Sequence, residues 1–75
     1  MLYLIKNYEL FINNIDKTGE IITLSDNSFW QIDTFGKLKT SLWLAIDKVI
    51  VISKNGKYFL KNLRANNSVV ARFLK

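Results

Sequence analysis

The four residues Lys54-Asn55-Gly56-Lys57 constrain this chain more than any other feature of it. An Asn-Gly pair accepts the two positive φ angles of a two-residue type I′ turn, whose twist matches that of the strands it joins. Apolar runs flank the pair, Val49-Ile50-Val51-Ile52 before it and Tyr58-Phe59-Leu60-Lys61-Asn62-Leu63 after it. The first run is β-branched throughout, as strands favour, and its unbroken apolar character predicts burial on both faces. A hairpin is therefore expected over residues 49–63. An isolated hairpin is marginal in water, so the rest of the chain must supply further strands.

Turn signals recur at the short intervals of an all-β protein. Ser25-Asp26-Asn27-Ser28 joins Glu20–Leu24 to Phe29–Ile32, and in the second of these Trp30 and Ile32 share an inward face. Lys17-Thr18-Gly19-Glu20 leads back to a strand over about residues 9–15. A turn at Asn66-Asn67-Ser68 precedes a last strand through Val69–Phe73. The first fifteen residues carry two patterns. Leu4, Tyr8, Phe11, Ile12 and Ile15 lie on one helical stripe, whereas Tyr8, Leu10 and Ile12 alternate. A hairpin through Gly19 favours the strand over 9–15 and leaves 1–8 as an N-terminal arm. Between Asp33 and Asp47 the pattern is irregular, and a loop followed by a short strand or turn is expected there.

Seventy-five residues allow one small domain, spanning 1–75. A chain of this size buries only about 60% of its unfolded surface, which leaves stability marginal without a staple. There is no Cys and no His, so disulfides and thiolate or imidazole metal sites are excluded, and no cofactor is expected. Apolar content of 49% must do the stabilising instead. Short strands joined by tight turns close on themselves rather than lie open. The expected fold class is thus all-β, a single-domain barrel of five to six short antiparallel strands, SH3-like or OB-like. No segment approaches the ~18 apolar residues of a membrane span. The N-terminus as written does not read as a signal peptide, which suits the cytoplasm. A mature chain beginning at a new Met1 would look the same, so the periplasm stays open.

The stretch Ile22-Thr23-Leu24-Ser25-Asp26-Asn27-Ser28-Phe29-Trp30-Gln31-Ile32 resembles a run found in small uncharacterised bacterial β-barrel proteins. There an ITL-S-D-G-S-x-W-x-V segment is followed by a second Trp, a G-D-x-V-x-V strand and a closing Y-x-L-x-N element. Trp43, Asp47-Lys48-Val49-Ile50-Val51 and Tyr58-Phe59-Leu60-Lys61-Asn62 stand in those places, with Val69 or Val70 and Ala71 after them. The likeness covers about residues 20–72. It departs at Asn27 and Ile46, both where Gly is usual. The resemblance implies a barrel, keeps export open and implies no activity.

Absence of His and Cys removes the commonest general base and the strongest nucleophile, so an enzyme is not expected. Asp16 and Asp26 fall in turns, where a short acceptor bonds nearby backbone. Asp33 and Asp47 flank the irregular segment and form at most a sparse oxygen-ligand pair for a hard cation. The net charge of +5 serves solubility or an anionic partner. Trp30 is expected in the core; Trp43, between Leu42 and Leu44, is placed either in the core or on a binding surface. Aromatic and basic residues interleave at Phe29, Phe59, Lys37, Lys39, Lys57 and Lys61, which together with Trp43 make the candidate binding surface. The same aromatics could instead pack beneath the N-terminal segment.

Two functions fit. The first is a non-catalytic protein-interaction or structural module, bound to an unidentified protein partner or to a second copy as a homodimer. Leu2, Leu4, Ile5, Phe11, Leu42 and Leu44 exceed what a small barrel holds, and exposed strand edges would add pairing groups. The alternative is a nucleic-acid-binding barrel of the OB, SH3-like or Sm-like kind. In either case Val51 belongs at the centre, and Val51→Asp should abolish the cooperative thermal transition, because it buries an unpaired charge.

Overall fold

The computed structural model describes residues 2–75. Six antiparallel strands form a closed barrel: β1 (Leu10–Ile15), β2 (Ile21–Leu24), β3 (Phe29–Ile32), β4 (Lys48–Lys54), β5 (Lys57–Asn62) and β6 (Asn67–Phe73). Their order around the barrel is β1-β2-β3-β6-β5-β4, and β4 pairs back to β1. The Asn55-Gly56 turn is as expected, with φ of 54° and 75° at its two residues. The β4–β5 ladder runs in unbroken register from Val49↔Asn62 to Lys54↔Lys57.

β1 makes the closure. Its second half pairs with β2 and its first half with β4, through Leu10↔Val49 and Phe11↔Lys48. The register against β2 shifts between Ile12 and Asn14. The extra residue bends the strand, as bulges do at barrel corners, and the Asn13 amide donates to the Leu24 carbonyl at 3.3 Å.

Alternation along the strands puts Leu10, Ile12, Ile22, Leu24, Trp30, Ile32, Val49, Val51, Leu60, Val69 and Ala71 inside. Trp30 lies at the centre with no exposed surface, and its indole N–H donates to Ser28 Oγ at 2.8 Å. Asn62 also points inward and is fully buried, unlike any other Asn of the chain.

Several expectations are corrected. Where residues 33–47 were expected to begin as a loop, a 3₁₀ turn over Thr34–Gly36 runs into the short helix α1 (Lys37–Thr40), and residues 41–47 then form turns, one of the two forms expected there. Asp33 caps this segment by accepting from the Gly36 N–H at 2.8 Å, an Asx interaction that alternation of apolar residues does not reveal. β4 is buried on one face only, since Val49 and Val51 point inward while Ile50 and Ile52 line the outer surface. The last turn closes earlier than expected, with Asn66 at φ 56° and β6 already beginning at Asn67. Finally, closure gives every strand two neighbours, and the free edge expected from sequence shrinks to the part of β4 beyond its two pairs with β1.

The two mouths of the barrel are covered by different segments. At one, the N-terminal segment inserts the Tyr3 side chain edge-on against Trp30, Tyr58 and Phe73 with ring centroids 4.9, 6.1 and 5.2 Å away. Tyr3 also donates its N–H to Tyr58 Oη at 3.0 Å and its hydroxyl to Asp26 at 2.5 Å. Leu2, Leu4 and Tyr8 remain exposed. At the other mouth lie α1 and the chain that follows it. Thr40 is fully buried and donates to the Gly19 carbonyl at 2.6 Å. Gly19 has φ 74°, and a Cβ there would sit 2.7 Å from the Thr40 hydroxyl oxygen, so no other residue fits.

Tyr3→Ala should therefore cost about 3 kcal/mol in chemical denaturation, the range for removing a buried aromatic. Leu2→Ala and Leu4→Ala should each change stability by less than about 0.5 kcal/mol, as exposed positions do.

Candidate functional site

Two uncovered surfaces stand out, one basic and one apolar. The basic one is the outer face of β4, β5 and β6. These strands carry Lys48, Lys54, Lys57, Lys61 and Arg72 and no acidic residue. With Tyr58 and Leu60 turned inward, Lys57, Phe59 and Lys61 point outward from β5. Cross-strand register then builds rows across the face. Ile52, Phe59 and Val70 are mutually paired in the middle. Lys54 pairs with Lys57 on one side of them, with Arg72 one step along β6 from the Tyr58↔Ala71 pair. Ile50, Lys61 and Ser68 are aligned on the other.

Of the residues singled out from sequence, this face brings together Phe59, Lys57 and Lys61. Lys39 reaches its rim by donating to the Ser68 carbonyl at 3.2 Å. Lys37 stands further round, 3.4 Å from Glu20. It lines an open groove of about 590 Å³ together with Lys57, Val70, Arg72, Gln31 and Asp33. Phe29 is set apart. It too is half-buried and outward, but it lies towards the far end of β6, its backbone bonded to Leu74 and Lys75, with the Lys75 ammonium 5.0 Å above its ring. The Arg72–Gln31 hydrogen bond lies between it and Phe59. Neither aromatic packs beneath the N-terminal segment, which goes to the barrel mouth. Trp43 leaves the surface altogether, because it is 4% exposed and its indole N–H donates to Asn67 Oδ1 at 2.9 Å.

The apolar surface was only partly foreseen, through Leu42 and Leu44. Phe35, Leu38, Leu42, Leu44 and Ile46 crown the helical mouth, each more than half exposed. Within this segment Thr40, Trp43 and Asp47 point inward and hold it down. The Asp47 carboxylate is the main anchor. It accepts from the Leu44 N–H at 2.8 Å, Asn62 Nδ2 at 2.9 Å and Arg64 Nε at 2.7 Å. Arg64 in turn donates to the Leu42 carbonyl at 3.1 Å. The segment is thereby fixed with its apolar side chains facing out.

Ile46 is the strained member. It occupies the third position of a turn closed by the Asp47 N–H on the Leu44 carbonyl, and its φ is 69°. A β-branched residue there is an outlier, because its Cβ crowds the backbone. Asn27, at φ 68°, is the other position where Gly would be usual, but Asn tolerates that region.

The carboxylates do not converge. Glu9 faces Lys48 at 3.7 Å, Asp16 ties the β1–β2 turn, Glu20 faces Lys37, and Asp33 and Asp47 are engaged as described. Asp26 accepts from Ser28 and Tyr3, with Lys6 at 3.7 Å. Burial works against its ionisation, but these hydrogen bonds outweigh it and hold Asp26 below the usual carboxylate range. Burial and the Asp26 contact push the Tyr3 hydroxyl above its ordinary range. Among the described residues no three His, Cys, Asp or Glu side chains are grouped to hold a metal, and no helix is long and apolar enough to cross a membrane.

No protein-family model, curated protein or solved structure matches the chain.

Asp47 gives the crown a pH dependence. The Arg64 guanidinium, helped by Asn62 and the Leu44 N–H, lowers its carboxyl from 3.8 to about 2. A depressed folded-state value means stability that is present above about pH 4 and is lost as pH falls through about 2. Asp47→Asn should reduce stability at neutral pH by about 1 kcal/mol, allowing for the water around Arg64. Asp16 and Asp26 titrate in the same direction, so the readout is the narrowing of the gap between wild type and variant in melts from pH 5 to pH 2.

Proposed function

We propose that this domain is a non-catalytic protein-interaction module whose partner docks on the apolar crown formed by Phe35, Leu38, Leu42, Leu44 and Ile46. Ile46 carries the reading. It is 79% exposed and sits at a positive φ, so it lowers the stability of the isolated domain twice, by strain and by hydration of an apolar side chain. Gly would relieve both. Strain of this kind persists where the surrounding structure over-determines it and function uses it. Here Asp47 and Trp43 fix the loop from beneath, so the apolar groups are presented without further ordering, which lowers the entropy cost of association.

Other observations support the reading. All five side chains fall within residues 35–46 and are more than half exposed, and exposed apolar surface gathered on one segment marks interaction sites. The chain has neither His nor Cys, and its carboxylates are each occupied locally, which favours a binding role over catalysis.

Ile46→Gly separates stability from function. It should raise stability by about 1 kcal/mol through relief of the left-handed strain, while weakening partner binding. A photo-crosslinking residue at Leu42 should give one discrete adduct in the cells that make the protein, reduced in the Ile46→Gly background. The same residue at Lys17, on the β1–β2 turn, should give none. Sedimentation of the purified chain identifies a second copy as the partner if the mass doubles. Equal labelling from both positions, or an adduct that Ile46→Gly leaves unchanged, would overturn the proposal.

A further inference from the structure

The crown leaves the basic face of the barrel without a role. We infer that the outer face of β4, β5 and β6 is a binding site for single-stranded nucleic acid, separate from the crown. The order of side chains across the face points there. The apolar strip Ile52–Phe59–Val70 runs across three strands. Two residues along the strands, roughly 7 Å away, lies the basic row Lys54–Lys57–Arg72. On the opposite flank is Lys61, with Lys39 reaching in over Ser68.

Charge complementarity points to a polyanion. Ion pairs within 4 Å engage Lys6, Lys37, Lys48 and Arg64, whereas Lys39, Lys54, Lys57, Lys61 and Arg72 have no carboxylate partner among the described residues. A Lys or Arg whose charge no carboxylate neutralises keeps that charge available to a phosphate, even where, as at Lys39 and Arg72, it also bonds a neutral oxygen. The acidic groups that border this side are already engaged, Glu9 with Lys48 and, lining the groove, Glu20 with Lys37 and Asp33 with the Gly36 N–H.

The apolar strip and the groove favour a nucleic acid over a lipid surface. Bases stack on aromatic side chains while Lys and Arg follow the phosphates, which needs an aromatic between cationic rows. Phe59 has that position. The groove beside the Arg72–Gln31 pair is a recess of about 590 Å³, within the range of small-ligand pockets. A strand can turn a base into it, whereas a planar membrane cannot. Gln31 lines it, and its amide, which bonds Glu20 and Arg72, keeps a second N–H and a second lone pair for a base edge.

The test is fluorescence anisotropy of labelled dT15 and rU15 with the full chain, at 20 and 200 mM salt. Binding should be measurable at the lower salt and weaken steeply at the higher. Lys57→Ser with Arg72→Ser should flatten the salt dependence. Phe59→Ala should weaken binding at least roughly fivefold, the lower range for loss of one stacked base, with the slope unchanged. Phe59→Leu preserves apolar packing and should weaken it similarly, which separates stacking from a folding defect. Lys17→Ser, on the β1–β2 turn, should have little effect. No binding at 20 mM salt would overturn the inference. So would phosphatidylglycerol vesicles displacing the oligonucleotide with no dependence on Phe59, since that result assigns the face to a membrane. Ile46→Gly should leave oligonucleotide binding intact, so the crown and this face are tested independently.

Discussion

The structure depends on β1 serving two neighbours at once. Six strands of four to seven residues cannot hold an open sheet together, and only closure satisfies both edges. Beyond the two register pairs with β4, the seam is extended by the Ile12 N–H on the Asp47 carbonyl at 3.0 Å and the Ile46 N–H on the Ile12 carbonyl at 2.8 Å. The same backbone bonds that close the barrel therefore fix the turn carrying Ile46. The bulge at Asn13 lets one strand bend from the β2 ladder to the β4 seam.

Closure also determines what the interior can accept. With Trp30 at the centre and β-branched or Leu side chains around it, the interior is filled by one face of each strand. Tyr3 and Trp43 seal it at the two mouths. Other large apolar residues are then displaced outward, and position decides their character. On the sheet wall, Ile50, Phe59 and Val70 stay half-buried, and even Ile52 and Phe11 are less exposed than the residues of the crown. On the segment from Phe35 to Ile46 no neighbouring strand shelters them. The polar atoms inside are paired: no buried side-chain donor or acceptor lacks a partner among the described residues.

Strands and turns could be read from the sequence because period-two alternation and positive-φ residues are local signals. The Asn55-Gly56 hairpin, the inward Trp30 and Ile32, and the outward Phe59 and Lys61 follow from them directly. Segment 33–47 resisted, because its conformation comes from a side-chain cap at Asp33 and long-range anchors at Thr40, Trp43 and Asp47. Nothing local marks Asn62 for burial; the Asp47 carboxylate, which accepts from its amide, and the Ala65 N–H, which donates to it, explain it. Tyr3 could not be distinguished from Leu2 and Leu4, since its aromatic partners arrive from β3, β5 and β6. The basic face was visible as a composition and became a pattern only once register aligned its rows. Phe29 shows the converse, being outward as expected yet at the wrong end of its strand.

The Tyr3 plug has a consequence for how the molecule is made. Its hydroxyl and backbone bind Asp26 and Tyr58, the second 55 residues later, and its ring rests on Phe73. β3 likewise waits for β6, and β1 waits for β4. Pairings so distant along the chain form slowly, because loop-closure entropy must be overcome first. During synthesis, the first hairpin emerges with its inner face and its tyrosine unmatched until residue 73 has been made. Vulnerability to misassembly is therefore concentrated in the nascent chain, and the finished barrel, with each strand held between two neighbours, is the form best protected from adding a foreign strand.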